Sequence, residues 1–416
     1  MWNPSDRPQW SSTRRTSEES EREHVFPVVH TPYDFYKNLQ MIESDIAVGA
    51  GLRISCTKDE LVQGLSLVGR AVSSRTAIQI LSGILLEARD GELRLAATDM
   101  ELSLRATVPA QVEGDGAVVL PGRTLVDIAR LLPGEDVTVE HRAAESVVHV
   151  ASGGASYTLH TYNAEDFPRL PELTETETFA VDREALLETI ARVARAASRD
   201  EARPVLTGVL VQFAGGKLVM AATDSYRLAV KETTLASPAP DLEAIVPSRA
   251  LQELSRIPGD GDEIAVGVQE NQVLFSADGV WLTTRRIDGQ FPNYRQLLPE
   301  TFEHELTISR VELLDVVRRA AVMIQRATPL QLRFADGEVT VVARTHEVGE
   351  SKESMPVAYS GEPLEIGFNA EFLREGLESV EGDDVRMKLI SPLRPAILTD
   401  EADDFTYLVM PIRLPG

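Results

Sequence analysis

One cysteine, Cys56, is all the sequence offers, so no disulfide can close within the chain and no multi-cysteine zinc site can form. Aromatic residues make up only 6%, and no aromatic strand of the RNA-stacking kind is present. No uninterrupted apolar stretch approaches the roughly 20 residues that cross a bilayer. The opening stretch, Met1 to Thr16, is polar with Pro and Arg, unlike a secretory signal. The expected compartment is therefore the cytoplasm, with no membrane partner. Positive charge is scarce: 41 Lys and Arg stand against 65 Asp and Glu, a net charge of −24. That deficit argues against nucleic acid only on average, because phosphate binding needs a local cluster of cations. Hydrophobic residues at 43% and charged residues at 25% exclude a mostly disordered chain, and 416 residues exceed one ordinary core.

Signs of catalysis are also missing. The seven histidines form no H-x-x-x-H pair or other metal spacing. Gly215-Gly216-Lys217 lacks the rest of a phosphate loop, and no G-x-S-x-G elbow is present. Asp99 and Asp224 each follow a strand, where a carboxylate commonly accepts backbone N–H groups in a turn. No catalytic residue, metal or cofactor is expected.

What the chain has in abundance is repetition. Leu81-Ser82-Gly83-Ile84-Leu85-Leu86 returns as Leu206-Thr207-Gly208-Val209-Leu210-Val211, 125 positions later. Ala96-Ala97-Thr98-Asp99 returns unchanged as Ala221-Ala222-Thr223-Asp224 at the same shift. Leu120-Pro121-Gly122-Arg123 and Asp166-Phe167-Pro168 are echoed by Val246-Pro247-Ser248-Arg249 and Gln290-Phe291-Pro292. A third copy follows the same order, with Phe334 to Val339 matching Phe213 to Leu218 at a shift of 121. It carries Arg344-Thr345 in place of the Thr-Asp pair. A unit this long is a whole domain, beyond solenoid repeats of roughly 20–50 residues. Residues 52–175, 176–301 and 302–416 are read as the three copies, and residues 1–51 as a disordered N-terminal extension.

Each copy opens with a helix signal: Thr57, Asp182 or Ser309 as N-cap, then an acidic first turn and apolar residues at helical spacing. A hairpin follows, its turn at Asp90-Gly91, Gly215-Gly216 or Asp336-Gly337. Leu93 and Leu95, Leu218 and Met220, and Val339 and Val341 give it an alternating inward face. Second helices are predicted near 123–132, 248–257 and 369–380. The class is α+β, three tandem copies of two helices backed by antiparallel sheet.

Basic residues recur on these helices. Arg192, Arg195, Arg199 and Arg203 have spacings that predict one helical face. Arg70 and Arg75, then Arg318, Arg319 and Arg326, occupy matching segments, and second helices add Arg123, Arg130, Arg249 and Arg256. Such a surface contacts phosphates without reading bases.

Three segments carry a family resemblance: Ala222 to Val230 (ATDSYRLAV), Phe291-Pro292-Asn293-Tyr294, and Tyr407 to Leu414 (YLVMPIRL). Over about 52–416 the chain resembles the β subunit of bacterial DNA polymerase III, the sliding clamp. The resemblance implies a head-to-tail homodimer, a six-domain ring with helices lining the hole, that encircles duplex DNA in the nucleoid and gives the polymerase processivity. It carries DNA contacts to Arg75 and Arg123. A family glutamine falls on Asp200 and two tyrosines on Pro204 and Val205, so Arg199 and Arg203 are the candidates for the second copy.

It places a partner-peptide pocket at Leu206, Thr223, Ser225, Tyr226, Arg227, Leu228, Pro292, Leu297, Pro395, Leu408, Val409, Met410, Pro411, Ile412, Arg413 and Leu414. Expected occupants are the replicative polymerase subunit, the clamp loader, and other repair and replication proteins with short hydrophobic motifs. The dimer contact is assigned to Tyr157 and Leu159 on one side and Val322 and Met323 on the other. The alternative is a repeat-built protein-interaction scaffold without DNA encirclement. Arg75 and Arg123 favour the clamp, and Asp200 favours the scaffold.

Overall fold

The computed structural model describes residues 51–73, 76–170, 178–325, 328–345 and 347–414. Residues 1–50 of the N-terminal extension, and the candidate DNA contact Arg75, lie outside the described residues.

The first copy contains β1 (Arg53–Thr57), α1 (Lys58–Val68), β2 (Gly83–Arg89), β3 (Glu92–Thr98), β4 (Leu102–Val108) and β5 (Gln111–Gly114). It continues through β6 (Gly116–Pro121), α2 (Gly122–Leu131), β7 (Asp136–Arg142), β8 (Val147–Ser152) and β9 (Ala155–His160). The second holds β10 (Thr178–Asp182), α3 (Arg183–Val193), β11 (Gly208–Ala214), β12 (Lys217–Thr223) and β13 (Arg227–Thr234). Then come β14 (Leu242–Pro247), α4 (Ser248–Leu254), β15 (Glu263–Val268), β16 (Gln272–Ala277) and β17 (Val280–Arg285). The third has β18 (His304–Ser309), α5 (Arg310–Ala321), β19 (Leu330–Ala335), β20 (Glu338–Thr345) and β21 (Gly349–Pro356). It ends with β22 (Leu364–Phe368), α6 (Ala370–Ser379), β23 (Asp384–Leu389), β24 (Ala396–Thr399) and β25 (Phe405–Val409).

Local chemistry accounts for the repeating parts. Thr57 and Glu60 form a reciprocal capping box at α1, the Asp182 carboxylate accepts the Ala185 N–H at α3, and Ser309 accepts that of Glu312 at α5. The three hairpin turns all run through positive φ, from +50° at Asp336 to +80° at Gly91 and Gly337. These values match the two-residue turns whose twist suits a hairpin. Behind the turns, Leu93, Leu95, Leu218, Met220, Val339 and Val341 are fully buried.

Sheets run across the boundaries between copies. β4 of the first copy pairs with β17 of the second, giving the order β10-β15-β16-β17-β4-β3-β2-β6. β13 of the second pairs with β25 of the third, giving β14-β11-β12-β13-β25-β24-β23-β18. The remaining sheets, β5-β1-β7-β8-β9 and β21-β20-β19-β22, end on β9 and β21.

One expectation is corrected. Arg192, Arg195, Arg199 and Arg203 do not share a helical face, because α3 stops at Val193 and a single 3-10 turn carries the chain to an extended Ala197. The Ser198 N–H then donates to the Leu206 carbonyl at 2.8 Å, folding the segment back on itself. Arg192 is buried instead, its Nε donating to the Ser379 carbonyl at 2.8 Å and its head paired with Asp400. No helix among the described residues is long and apolar enough to cross a membrane.

Candidate functional site

The junction between the second and third copies carries a separate apolar cluster on the sheet face away from the helices. Strand alternation decides which side chains reach it. Leu228 lies opposite Leu408, and Thr223 opposite Leu228, so these three share the outer face. Leu228 and Leu408 pack there with Leu210, Ala221, Tyr294 and Ile397. Phe291 and Leu298 cover the same cluster, which explains why the Phe-Pro-Asn-Tyr stretch sits where it does.

The rim is exposed. Tyr226, Leu297, Met410 and Ile412 are large hydrophobics open to solvent, and Tyr226 is 62% exposed. The Met410 N–H donates to the Tyr226 carbonyl at 2.8 Å, and the Ile412 N–H to the Gly367 carbonyl at 2.7 Å. Two backbone bonds thus hold the Pro411 and Arg413 segment against both copies. Asp224 shapes the other wall. Its Oδ1 accepts the N–H groups of Tyr226 and Arg227 at 2.9 and 3.0 Å, while Ser225 takes φ +82°. Pro292 is exposed, whereas Leu206, Pro395 and Leu414 are half-buried at the edges.

Arg227 and Val409 belong to the opposite face, because each neighbours an outward residue along its strand. The Arg227 guanidinium is buried between copies. It donates to Asp224 at 3.1 Å and to the Arg195 carbonyl at 2.7 Å, pairs with Glu375, and lies 4.4 Å over the Phe372 ring. Burial works against its charge, but Tyr407 and Glu375 beside it hold its pKa above the ordinary value. The side chain rivets the junction under the cleft.

The candidate phosphate-binding arginines lie on the helical side. Arg123 and Arg199 are exposed and have no ion pair among the described residues. Arg203 is exposed but bonded to Asp200 at 3.0 Å and to the Ser225 hydroxyl at 2.9 Å. Many recurrent arginines are partnered: Arg195 and Arg318 with Glu378, Arg249 with Asp99, Arg319 with Glu353. A cavity of about 1120 Å³ opens on this side, and seven of its lining residues are arginines against five carboxylates.

The proposed contact residues at the chain's two ends flank strand edges. Tyr157 and Leu159 are half-buried on β9, the last strand of its sheet. Val322, 81% exposed, and Met323 follow α5. The Met323 carbonyl accepts the Thr345 hydroxyl at 3.2 Å, which holds the pair close to β21.

Among the described residues no three His, Cys, Asp or Glu side chains gather as a metal site. Burial, with Glu60 nearby, pushes the Cys56 thiol up to about 11, which leaves it unreactive. Asp99 and Asp224 serve turns, each accepting two backbone N–H groups.

Sequence reasoning missed the residues that hold the second junction: Asp400, Glu375, Glu378 and Asp404. Asp404 pairs with the buried Lys231 at 3.1 Å.

Residues 52–171, 180–293 and 295–413 match family models described as the N-terminal, central and C-terminal domains of the DNA polymerase III beta subunit. The chain is 37% identical over 375 residues to the beta sliding clamp of Synechococcus elongatus, covering 87% of this chain and 100% of the relative. It is 32% identical over 379 residues to that of Streptomyces coelicolor, covering 88% and 100%. Among solved structures, the DNA polymerase sliding clamp from Bacillus subtilis superposes with a TM-score of 0.83 at 28% identity, covering 88% of this chain and 100% of that one.

Proposed function

Because the chain belongs to the DNA polymerase III β-subunit family, the β sliding clamps, we propose that two copies close head to tail into a ring around duplex DNA. The chain is a non-catalytic subunit that confers processivity on DNA polymerase III. The ring gives that function a physical basis, since a topological link holds DNA without tight phosphate contacts.

The observation that carries the ring is one junction made twice. In the first, Leu104 of β4 lies opposite Leu282 of β17; in the second, Ala229 of β13 lies opposite Tyr407 of β25. Leu104, Ala229 and Ser351 are equivalent, for their hairpin partners are the equivalent alanines Ala97, Ala222 and Ala343. Tyr157 is equivalent to Leu282 and Tyr407, standing opposite Val150 as they stand opposite Phe275 and Leu398. The third junction therefore pairs β21 with β9 of a second copy, Ser351 facing Tyr157 and Gly349 facing Leu159. Within one chain these strands lack that partner, and edge strands with free N–H and C=O groups invite such pairing. A heterologous contact that repeats must close or form a fibre, and three like junctions per chain suit closure at six units.

In this ring Arg123 and Arg199 face the phosphates, with Arg75 and Arg203 as further contacts, and DNA is held without base reading. The outer cleft seats the polymerase, the clamp loader and other replication and repair proteins through short apolar motifs, a use suited to an apolar floor with an adaptable Met410 wall. The working place is the cytoplasm, at the nucleoid. The test is retention on nicked circular DNA after loading, with mass measured by light scattering. Loss from linearised DNA with retention on circles is the expected result. A monomer at micromolar concentration, or equal retention on both DNAs, refutes the ring.

A further inference from the structure

The two internal junctions share one backbone plan, yet only one presents an apolar cleft. At the first junction the Arg285 N–H donates to the Glu101 carbonyl at 3.0 Å, where Met410 donates to Tyr226 at the second. The Ile287 N–H donates to the Ile245 carbonyl at 2.9 Å, where Ile412 donates to Gly367. Asp99 Oδ1 accepts the N–H groups of Glu101 and Leu102 at 3.1 and 2.9 Å, as Asp224 accepts those of Tyr226 and Arg227. Even the strained residue recurs: Met100 has φ +78° and Ser225 φ +82°. The frame of the cleft is built twice.

The side chains diverge, four of them on the rim and floor. Glu101 replaces Tyr226, and Arg285 replaces Met410, both on the exposed rim. On the floor, Ser103 stands opposite Thr283 where Leu228 stands opposite Leu408. The Ser103 hydroxyl is engaged by that of Thr98 at 2.8 Å, and with Thr283 it puts two hydroxyl side chains where the second junction has two leucines. The rim here is charged, and Glu101 and Arg285 also border the arginine-rich cavity on the helical side. An apolar anchor entering there would strip water from a carboxylate and a guanidinium and return no hydrogen bond. Discrimination by such unreplaced polar groups is a common route to specificity.

We propose that Glu101, Ser103, Thr283 and Arg285 make the first junction refuse the apolar motifs that the second accepts, leaving each chain one working cleft of two built. This rests on the reading of the second junction as the partner cleft.

The experiment converts the refusing site. A synthetic peptide with leucine and phenylalanine anchors is counted on the full chain by native mass spectrometry and titrated by fluorescence anisotropy. The surface pair Glu101→Tyr and Arg285→Met is tested first, then the set with Ser103→Leu and Thr283→Leu added. Wild type should take one peptide per chain and the converted protein two. With the second cleft blocked by Met410→Ala and Leu228→Ala, conversion should tighten residual binding at least about tenfold, the scale of one apolar anchor. A converted chain that melts like wild type and still takes one peptide overturns the inference, as does a wild type that takes two. A wild type that takes none instead refutes the partner-cleft reading. If the four-residue variant fails to fold, the surface pair alone decides.

Discussion

Replacing Arg227 with Met tests the reading that buried ion pairs hold the second junction. The methionine keeps most of the apolar stem over Phe372 and removes the head. Arg227 is 7% exposed, and its partners Asp224 and Glu375 are 14% and 12% exposed. Both carboxylates would then be left in a poorly hydrated junction, and the Arg195 carbonyl would lose a donor. Removing one partner of a buried pair costs about 3–5 kcal/mol. Slight hydration of the acids puts this site at the lower end, about 3 kcal/mol, or about two decades in the folding equilibrium at 1.4 kcal/mol per decade. Urea unfolding followed by circular dichroism reads the loss. Adding Glu375→Leu should recover at least about 1 kcal/mol, since coupled neighbours are non-additive. Arg227 lies between the rim residue Tyr226 and the floor residue Leu228, so peptide affinity should fall as well. An Arg227→Met protein that unfolds with wild type, or a fully additive double variant, would refute the account.

Leu159→Asp should convert the proposed ring to monomers by light scattering, because a charge buried at the proposed contact costs several kcal/mol; an unchanged mass counts against the β9–β21 pairing. Arg123→Ala with Arg199→Ala should reduce the slope of log affinity against log salt by about 1.8, at about 0.9 per phosphate contact, and an unchanged slope would remove these residues from the DNA path. Met410→Ala and Leu228→Ala should each weaken peptide binding by about 2 kcal/mol, with thermal melting to confirm folding; undiminished affinity in both would place the partner site elsewhere. Burial works against the Glu378 carboxylate, yet Arg318, Arg374 and Arg195 hold it below the usual glutamate range. A depressed folded pKa stabilises above the unfolded value and is lost as pH falls through the folded one. Acid should therefore weaken the contacts of Glu378 on α6 with Arg318 on α5 and with Arg195 just beyond α3, and Glu378→Gln should flatten that part of the stability profile.

The sequence by itself determined whatever depends on neighbours a few residues apart. Thr57, Asp182 and Ser309 cap helices because a side-chain oxygen reaches the N–H three residues on. The Asp90-Gly91 and Gly215-Gly216 turns follow from the positive φ these residues tolerate. The threefold repetition was equally legible, and with it the family resemblance on which the cleft residues rested. Tertiary structure decided what lies across junctions. The arginine spacing from Arg192 to Arg203 looked like one face until the chain left the helix after Val193. Nothing near Arg192 announces Asp400, 208 residues away, as its partner. Arg227 and Leu228 are adjacent in sequence, yet one is spent inside the junction and the other forms the cleft floor. Their division was settled when β13 met β25, because strand pairing assigns alternate residues to opposite faces and no local signal says which face a distant strand will cover.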